Sequence, residues 1–240
     1  MISEPRFWSS WKGRIIRAIV LEGLYTRNEI LKMIQLEEKQ FEQALTELFQ
    51  TKFLVILGKA MEEDRFWVNS TELCNEYRSY FKNLQESLVD WVNQWRMQEK
   101  VESEHNHFFL EDKLLYDFSE RLIEHANVEI LVTNPYVDRC HLSNTLMSMP
   151  DKGINVKLIT RLPPEQQKRE YLSKLSKKGV SILYDSSVHA KLIVVDRRVG
   201  IVSSMNFFAT SSGGASWEAG LVTIEENIVQ SIARSIFCKK

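Results

Sequence analysis

The run His189-Ala190-Lys191-Leu192-Ile193-Val194-Val195-Asp196 constrains this 240-residue chain more than any other stretch. Leu192 to Val195 are apolar without interruption, the length of a strand buried on both faces. The polar residues stand at its two ends. His189 and Lys191, two apart, share one face of an extended chain, and Ser204 and Asn206 follow shortly afterwards. A buried strand of this kind needs layers above and below it. An imidazole beside a fixed ammonium suits attack on a phosphodiester whose anionic oxygens the cation holds.

The spacing HxK(x)4D followed by a Ser-x-Asn element resembles the HKD signature of the phospholipase D superfamily, with Glu218 where that family places a glutamate after the Asn. One position departs: Ser203 stands where a Gly usually precedes the Ser. Val128 to Val132 followed by Asn134-Pro135-Tyr136 resembles the family's first core strand. Lys152-Gly153 leading into Ile154 to Ile159, and Lys178-Gly179 leading into Val180 to Ile182, resemble its helix-Gly-strand steps. The resemblance spans residues 104–240 and implies an α/β phospholipase D-like domain, a mixed sheet flanked by helices.

Composition narrows the class. Hydrophobic residues make up 44% and charged residues 26%, ordinary values for a globular chain, and the formal net charge of −1 gives no general attraction to polyanions. Three cysteines, Cys74, Cys140 and Cys238, are widely spaced and fit reduced thiols. His105 and His107 form a short pair with no nearby third ligand and read as linker polarity; no metal and no cofactor is expected. No basic leader followed by an apolar stretch and no ~20-residue apolar window occurs, so a cytoplasmic protein without membrane contact is expected.

The first 72 residues carry a different pattern. Trp11 to Leu21 has helical apolar spacing, and Thr26-Arg27-Asn28-Glu29 is a capping box that starts a second helix through Ile30, Leu31 and Ile34. A third helix from Glu38 presents Phe41, Leu45, Leu48 and Phe49. Phe53 to Leu57 and Arg65 to Val68 read as a hairpin joined by a charged loop over residues 58–64. This order resembles a small α+β winged-helix-like domain. Residues 37–47, the segment that would enter a DNA groove, hold four acids and one base, which argues against ordinary docking on phosphates.

Residues 73–103 form an amphipathic linking helix. Leu73, Tyr77, Phe81, Leu84, Leu88, Trp91 and Trp95 recur at alternating steps of four and three, the spacing of a self-association seam or of a face packed on the chain's own domains.

The resemblance implies a mechanism. The family places two HKD motifs across one centre, and this chain has one, so the expected active form is a homodimer. His189 would become a phosphohistidine while the second copy's His189 protonates the leaving oxygen. Lys191 and Asn206 would hold the non-bridging oxygens, Ser204 would add a hydroxyl, and Glu218 would orient the His189 ring. Asp196 completes the motif and is expected to brace the loop after the strand. Trp217, Asn134, Tyr136 and Arg161 are candidate substrate-binding residues. The expected function is metal-independent nuclease activity on DNA or RNA. The alternative is a TrmB-like winged-helix transcription regulator whose phospholipase D-like domain binds an effector.

Overall fold

Glu29 shows why the second helix begins where it does. Its carboxylate accepts the backbone N–H groups of Tyr25 and Thr26, both at 3.0 Å, while its own N–H donates to Thr26 Oγ1 at 3.4 Å. Two donors that the helix leaves orphaned are thus satisfied from within the capping box. The structure is a computed structural model and describes residues 7, 10–34, 36–60, 63–69, 71–102, 106–212 and 216–237. It divides into two units, Met1–Asn83 and Leu84–Lys240.

The first unit contains α1 (Trp11–Glu22), α2 (Arg27–Ile34) and α3 (Glu38–Gln50), followed by the antiparallel pair β1 (Leu54–Ala60) and β2 (Glu63–Val68). This is the helix-helix-helix-hairpin order of a winged helix. Ile15, Ile16, Ile19, Ile30, Phe41 and Leu48 form its core. The charged loop expected over 58–64 is largely strand. Lys59 pairs with Asp64 and Ala60 with Glu63, because a two-stranded ribbon pairs through its backbone whatever its outward side chains. The acids of α3 also find a use: Glu38 and Glu42 take Arg27, and Glu47 takes Lys12 at 2.9 Å. The acidic helix thus neutralises cations from α1 and α2, and all three of its acids are spent inside the unit.

Helix α4 (Thr71–Gln98) supplies Cys74 and Tyr77 to the first core and Leu88, Val92 and Trp95 to the second. Trp95 packs on Phe118 with ring centroids 4.6 Å apart, and Trp91 stacks on His125 at 4.2 Å. The described part of the heptad face is therefore largely covered within the chain, so it offers no free seam.

The second unit is built on a seven-stranded sheet in the order β3-β9-β8-β7-β4-β5-β6. Its strands are β3 (His107–Glu111), β4 (Glu129–Thr133), β5 (Asn155–Thr160), β6 (Val180–Tyr184), β7 (Leu192–Val195), β8 (Val199–Ser203) and β9 (Ala219–Thr223). Strands β4, β5 and β6 run parallel, and all other neighbours run antiparallel. His107 lies in β3 and is not a linker residue; His105 and Cys238 lie outside the described residues. Helices α5 (Asp112–Glu124), α6 (His141–Ser148) and α7 (Gln166–Lys177) bury Leu115, Phe118, Leu146 and Leu172 on one face. A four-residue helix, α8 (Ala209–Ser212), precedes β9, and α9 (Glu226–Phe237) lays Val229, Ala233 and Ile236 on Leu131 and Val194 of the other face. The central strands are thus apolar on both sides, as the run after Lys191 requires.

Candidate active site

His189 and Lys191 sit on extended chain just ahead of β7, at the end of the sheet where β4 and β5 finish. Two contacts hold this approach. Thr133, the last residue of β4, donates its hydroxyl to Ala190 O at 3.2 Å, and Ser203 N donates to Lys191 O at 3.1 Å. Lys191 Nζ rests on His189 O at 3.1 Å, which keeps the ammonium against the histidine's own backbone. The His189 side chain is exposed, and no described residue is recorded as hydrogen-bonded to its ring.

Asn206 reaches the same end through a different anchor. Asn134 is 1% exposed; it donates to Met205 O at 3.0 Å and accepts from Tyr136 N at 3.2 Å and Phe207 N at 3.4 Å. Its amide oxygen and one amide N–H are employed in tying the segment after β4 to the segment around Asn206. Asn134 is therefore a positioning residue and not the substrate contact expected. Ser211, which the sequence pattern did not single out, accepts from Asn206 N at 2.9 Å and donates to Glu218. Asn206 Oδ1 is buried without a partner, so its amide is held by surroundings that leave the oxygen unsatisfied.

Glu218 departs from expectation. Its carboxylate is buried, and its two oxygens accept the hydroxyls of Ser204 and Ser211. Ser204 Oγ in turn accepts from Ala219 N at 3.1 Å, and Glu218 N donates to Asp112 Oδ1 at 3.0 Å. Within one chain Glu218 thus braces the Ser204–Asn206 loop and does not hold the His189 ring. Ser204 is correspondingly a bracing hydroxyl here.

Asp196 is removed from the chemistry by topology. It follows β7 at the opposite end from His189; the four residues of β7 separate it from Lys191, five steps or about 17 Å at ~3.4 Å per residue. Its carboxylate accepts the backbone N–H groups of Asn127 and Val128 at 2.8 Å and Glu129 at 2.9 Å. Burial pushes its pKa up to about 6, against the opposing pull of those three donors. Asp196 and Arg197 both take positive φ, 50° and 52°, in the tight turn into β8. Asp tolerates that left-handed backbone better than most residues.

Beside the centre lies a cavity of about 740 Å³ walled by Tyr136, Leu162, Pro163, Pro164 and Phe208, with Arg161 and Lys168 among its polar groups. Arg161 Nε donates to Val188 O at 2.7 Å, one residue before His189, and its guanidinium lies 5.7 Å from the centre of the Tyr136 ring. Trp217 is 75% exposed immediately before Glu218. Among the described residues no three His, Cys, Asp or Glu side chains cluster to hold an ion, and no helix is long and apolar enough to cross a membrane.

Residues 120–237 match the family model described as cardiolipin synthase, phospholipase D-like domain. This part of the chain belongs to the phospholipase D superfamily. Among solved structures, Nuc from Salmonella typhimurium, a phospholipase D family member, aligns with a TM-score of 0.50 and 15% identity over 55% of this chain and 92% of that one. NucT from Helicobacter pylori covers the same 55% and 96% of its own length, with a TM-score of 0.45 and 14% identity. TrmBL2, an archaeal chromatin protein, covers 97% of this chain and 95% of its own at 12% identity and a TM-score of 0.43. No curated protein matches.

Proposed function

We propose that the chain is a metal-independent phosphodiesterase, a homodimeric nuclease acting on DNA or RNA through a phosphohistidine at His189. The observation that carries this reading is the convergence of His189, Lys191 and Asn206 at one end of the sheet, each fixed by its own anchor: Thr133, Ser203 and Ser211. An exposed imidazole whose ring takes no hydrogen bond among the described residues suits a nucleophile, and the ammonium and amide supply charge and a donor for the non-bridging oxygens. His189 Nε2 attacks phosphorus and the bond to the leaving oxygen breaks. That oxygen takes a proton from His189 of a second copy. Water, deprotonated by the second imidazole, then attacks phosphorus and frees the first.

One chain supplies the nucleophile and no acid. An unpartnered strip on the sheet face supports a second copy: Phe109, Leu221 and Val202 are cross-strand neighbours on β3, β9 and β8, exposed by 56%, 45% and 44%. Val202 adjoins Ser203, so the strip runs up to the His189 end. Apolar side chains grouped this way favour burial against another surface. The regulator alternative draws on the layout, a winged-helix-like unit and a linking helix ahead of a phospholipase D-like domain; the third helix of that first unit spends its acids on its own cations. The test is cleavage of single- and double-stranded DNA and RNA in excess EDTA by wild type and His189→Ala. His189-dependent cutting is expected; binding of a defined duplex with no cutting by either protein would refute the enzyme.

A further inference from the structure

Resting on the phosphodiesterase reading, we infer that the cavity beside His189 is a nucleobase pocket, and that the substrate is therefore single-stranded nucleic acid. The walls of the cavity are chain neighbours of both halves of the centre. Arg161 is bonded to Val188, next to His189, and Phe208 follows Asn206 by two residues. A group seated there is consequently attached to the phosphorus held by His189 and Asn206. The volume, about 740 Å³, lies in the roughly 300–1,000 Å³ range of small-molecule sites.

The lining selects the chemistry. Tyr136 and Phe208 offer rings, and Pro163 and Pro164 offer flat apolar surfaces. The cations Arg161 and Lys168 are matched by Asp138 and Glu165, and Lys168 is bonded to Glu165 at 2.9 Å. With its charges cancelled, the pocket suits a flat, uncharged group, while phosphate is left to Lys191. An acyl chain would bury those polar groups without partners; a base has donors and acceptors around its edge to meet them. A base inside a duplex is stacked on both faces and paired along its edge, so its entry would first cost that stacking and pairing, which a single strand does not carry. Exposed Trp217 ahead of β9 stands three strand spacings from β4, about 14 Å, on the far side of the centre. It offers a stacking surface for a nucleotide on the other side of the scissile phosphate.

The experiment uses the full chain in EDTA with a labelled single-stranded DNA, the same strand as a duplex, a single-stranded RNA, phosphatidylglycerol vesicles and bis(p-nitrophenyl) phosphate. Single strands should be cut at least tenfold faster than the duplex, with the DNA and RNA arms identifying the sugar. Tyr136→Ala and Ala209→Trp, the second filling the cavity, should raise KM for the single strand on the order of tenfold. The same loss should appear as weaker oligonucleotide anisotropy when each is combined with His189→Ala. Thermal melts confirm that each variant is folded. Equal rates on duplex and single strand, an unmoved KM in both variants, or preferred hydrolysis of the vesicles would overturn the inference. Hydrolysis of bis(p-nitrophenyl) phosphate that depends on His189 shows that the phosphodiesterase reading survives such a result; loss of His189-dependent hydrolysis on every substrate overturns both.

Discussion

Replacing Asp196 separates scaffold from chemistry inside the motif itself. In Asp196→Ala the N–H groups of Asn127, Val128 and Glu129 lose their shared acceptor. Three orphaned donors at about 1–3 kcal/mol each, less about 3 kcal/mol of relieved carboxylate desolvation, leave a loss of about 3 kcal/mol at pH 7. Asp196→Asn keeps one oxygen for Val128 and Glu129 and turns an amide toward Asn127, so its loss should be about 1–2 kcal/mol. The pH dependence supplies a sharper signature. The folded carboxyl keeps its proton up to about pH 6, whereas its ordinary value is 3.8. Folding therefore takes up a proton between those values. The stabilisation is full below the lower one and disappears as pH rises through the upper one. Asn has no such proton, so the stability gap between wild type and Asp196→Asn should widen by about 2 kcal/mol in favour of wild type from pH 7 to pH 4.5. Urea unfolding at both pH values measures the gap. Phosphodiesterase activity per folded molecule should stay within about threefold of wild type. A gap that is flat with pH, or an Asn variant of unchanged stability that loses more than a hundredfold in kcat, would sink the scaffold assignment.

Four further outcomes follow from the same geometry. His189→Ala should lower metal-free hydrolysis by at least about three orders of magnitude, since in the proposed composite centre it would remove the nucleophile and the acid together; a stopped assay on bis(p-nitrophenyl) phosphate measures this. Ser211→Ala leaves Asn206 N and one Glu218 oxygen unpaired, and should cost about 1–3 kcal/mol in thermal stability and about tenfold in kcat. Leu221→Lys places a charge in the apolar strip and should convert a dimer to monomer in sedimentation, with activity falling in parallel. Gly179→Ala should destabilise by about 1–3 kcal/mol in urea, because φ is 95° there and an added Cβ would lie 2.9 Å from Pro150 Cβ.

Much of the second unit was legible because its strands are apolar on both faces. Leu192 to Val195 could only be a central strand, and the His-x-Lys pair had to emerge at one end of it and Asp196 at the other. The capping box at Thr26 and Glu29 was equally readable, because its hydrogen bonds are local in sequence. What the residues could not disclose depends on long-range contacts. Ser211 lies in a serine-rich stretch with no feature to distinguish it, and its value comes from standing between Asn206 and Glu218. Asn134 looked like a ligand contact because it is polar and follows a core strand; only the approach of Met205 and Phe207 makes it a staple. The heptad face of α4 was ambiguous for a similar reason: a stripe of aromatics packs as well on Phe118 as on a second helix.

The internal use of Glu218 bears on why the proposed centre would draw on two copies. A histidine acting alone as nucleophile must be neutral, whereas the histidine that protonates the leaving group must be charged. Within one chain the buried Glu218 carboxylate already accepts two serine hydroxyls and is not engaged with the exposed His189 ring. Two identical rings facing each other across a phosphate resolve this without further residues. In the proposed dimer one ring would serve as base and the other as acid. Lys191 from each side then steadies the phosphate whose charge both rings address. A mixed dimer of wild type with His189→Ala should therefore lose nearly all activity. Mixed dimers that retain half of the wild-type rate would show each chain working alone.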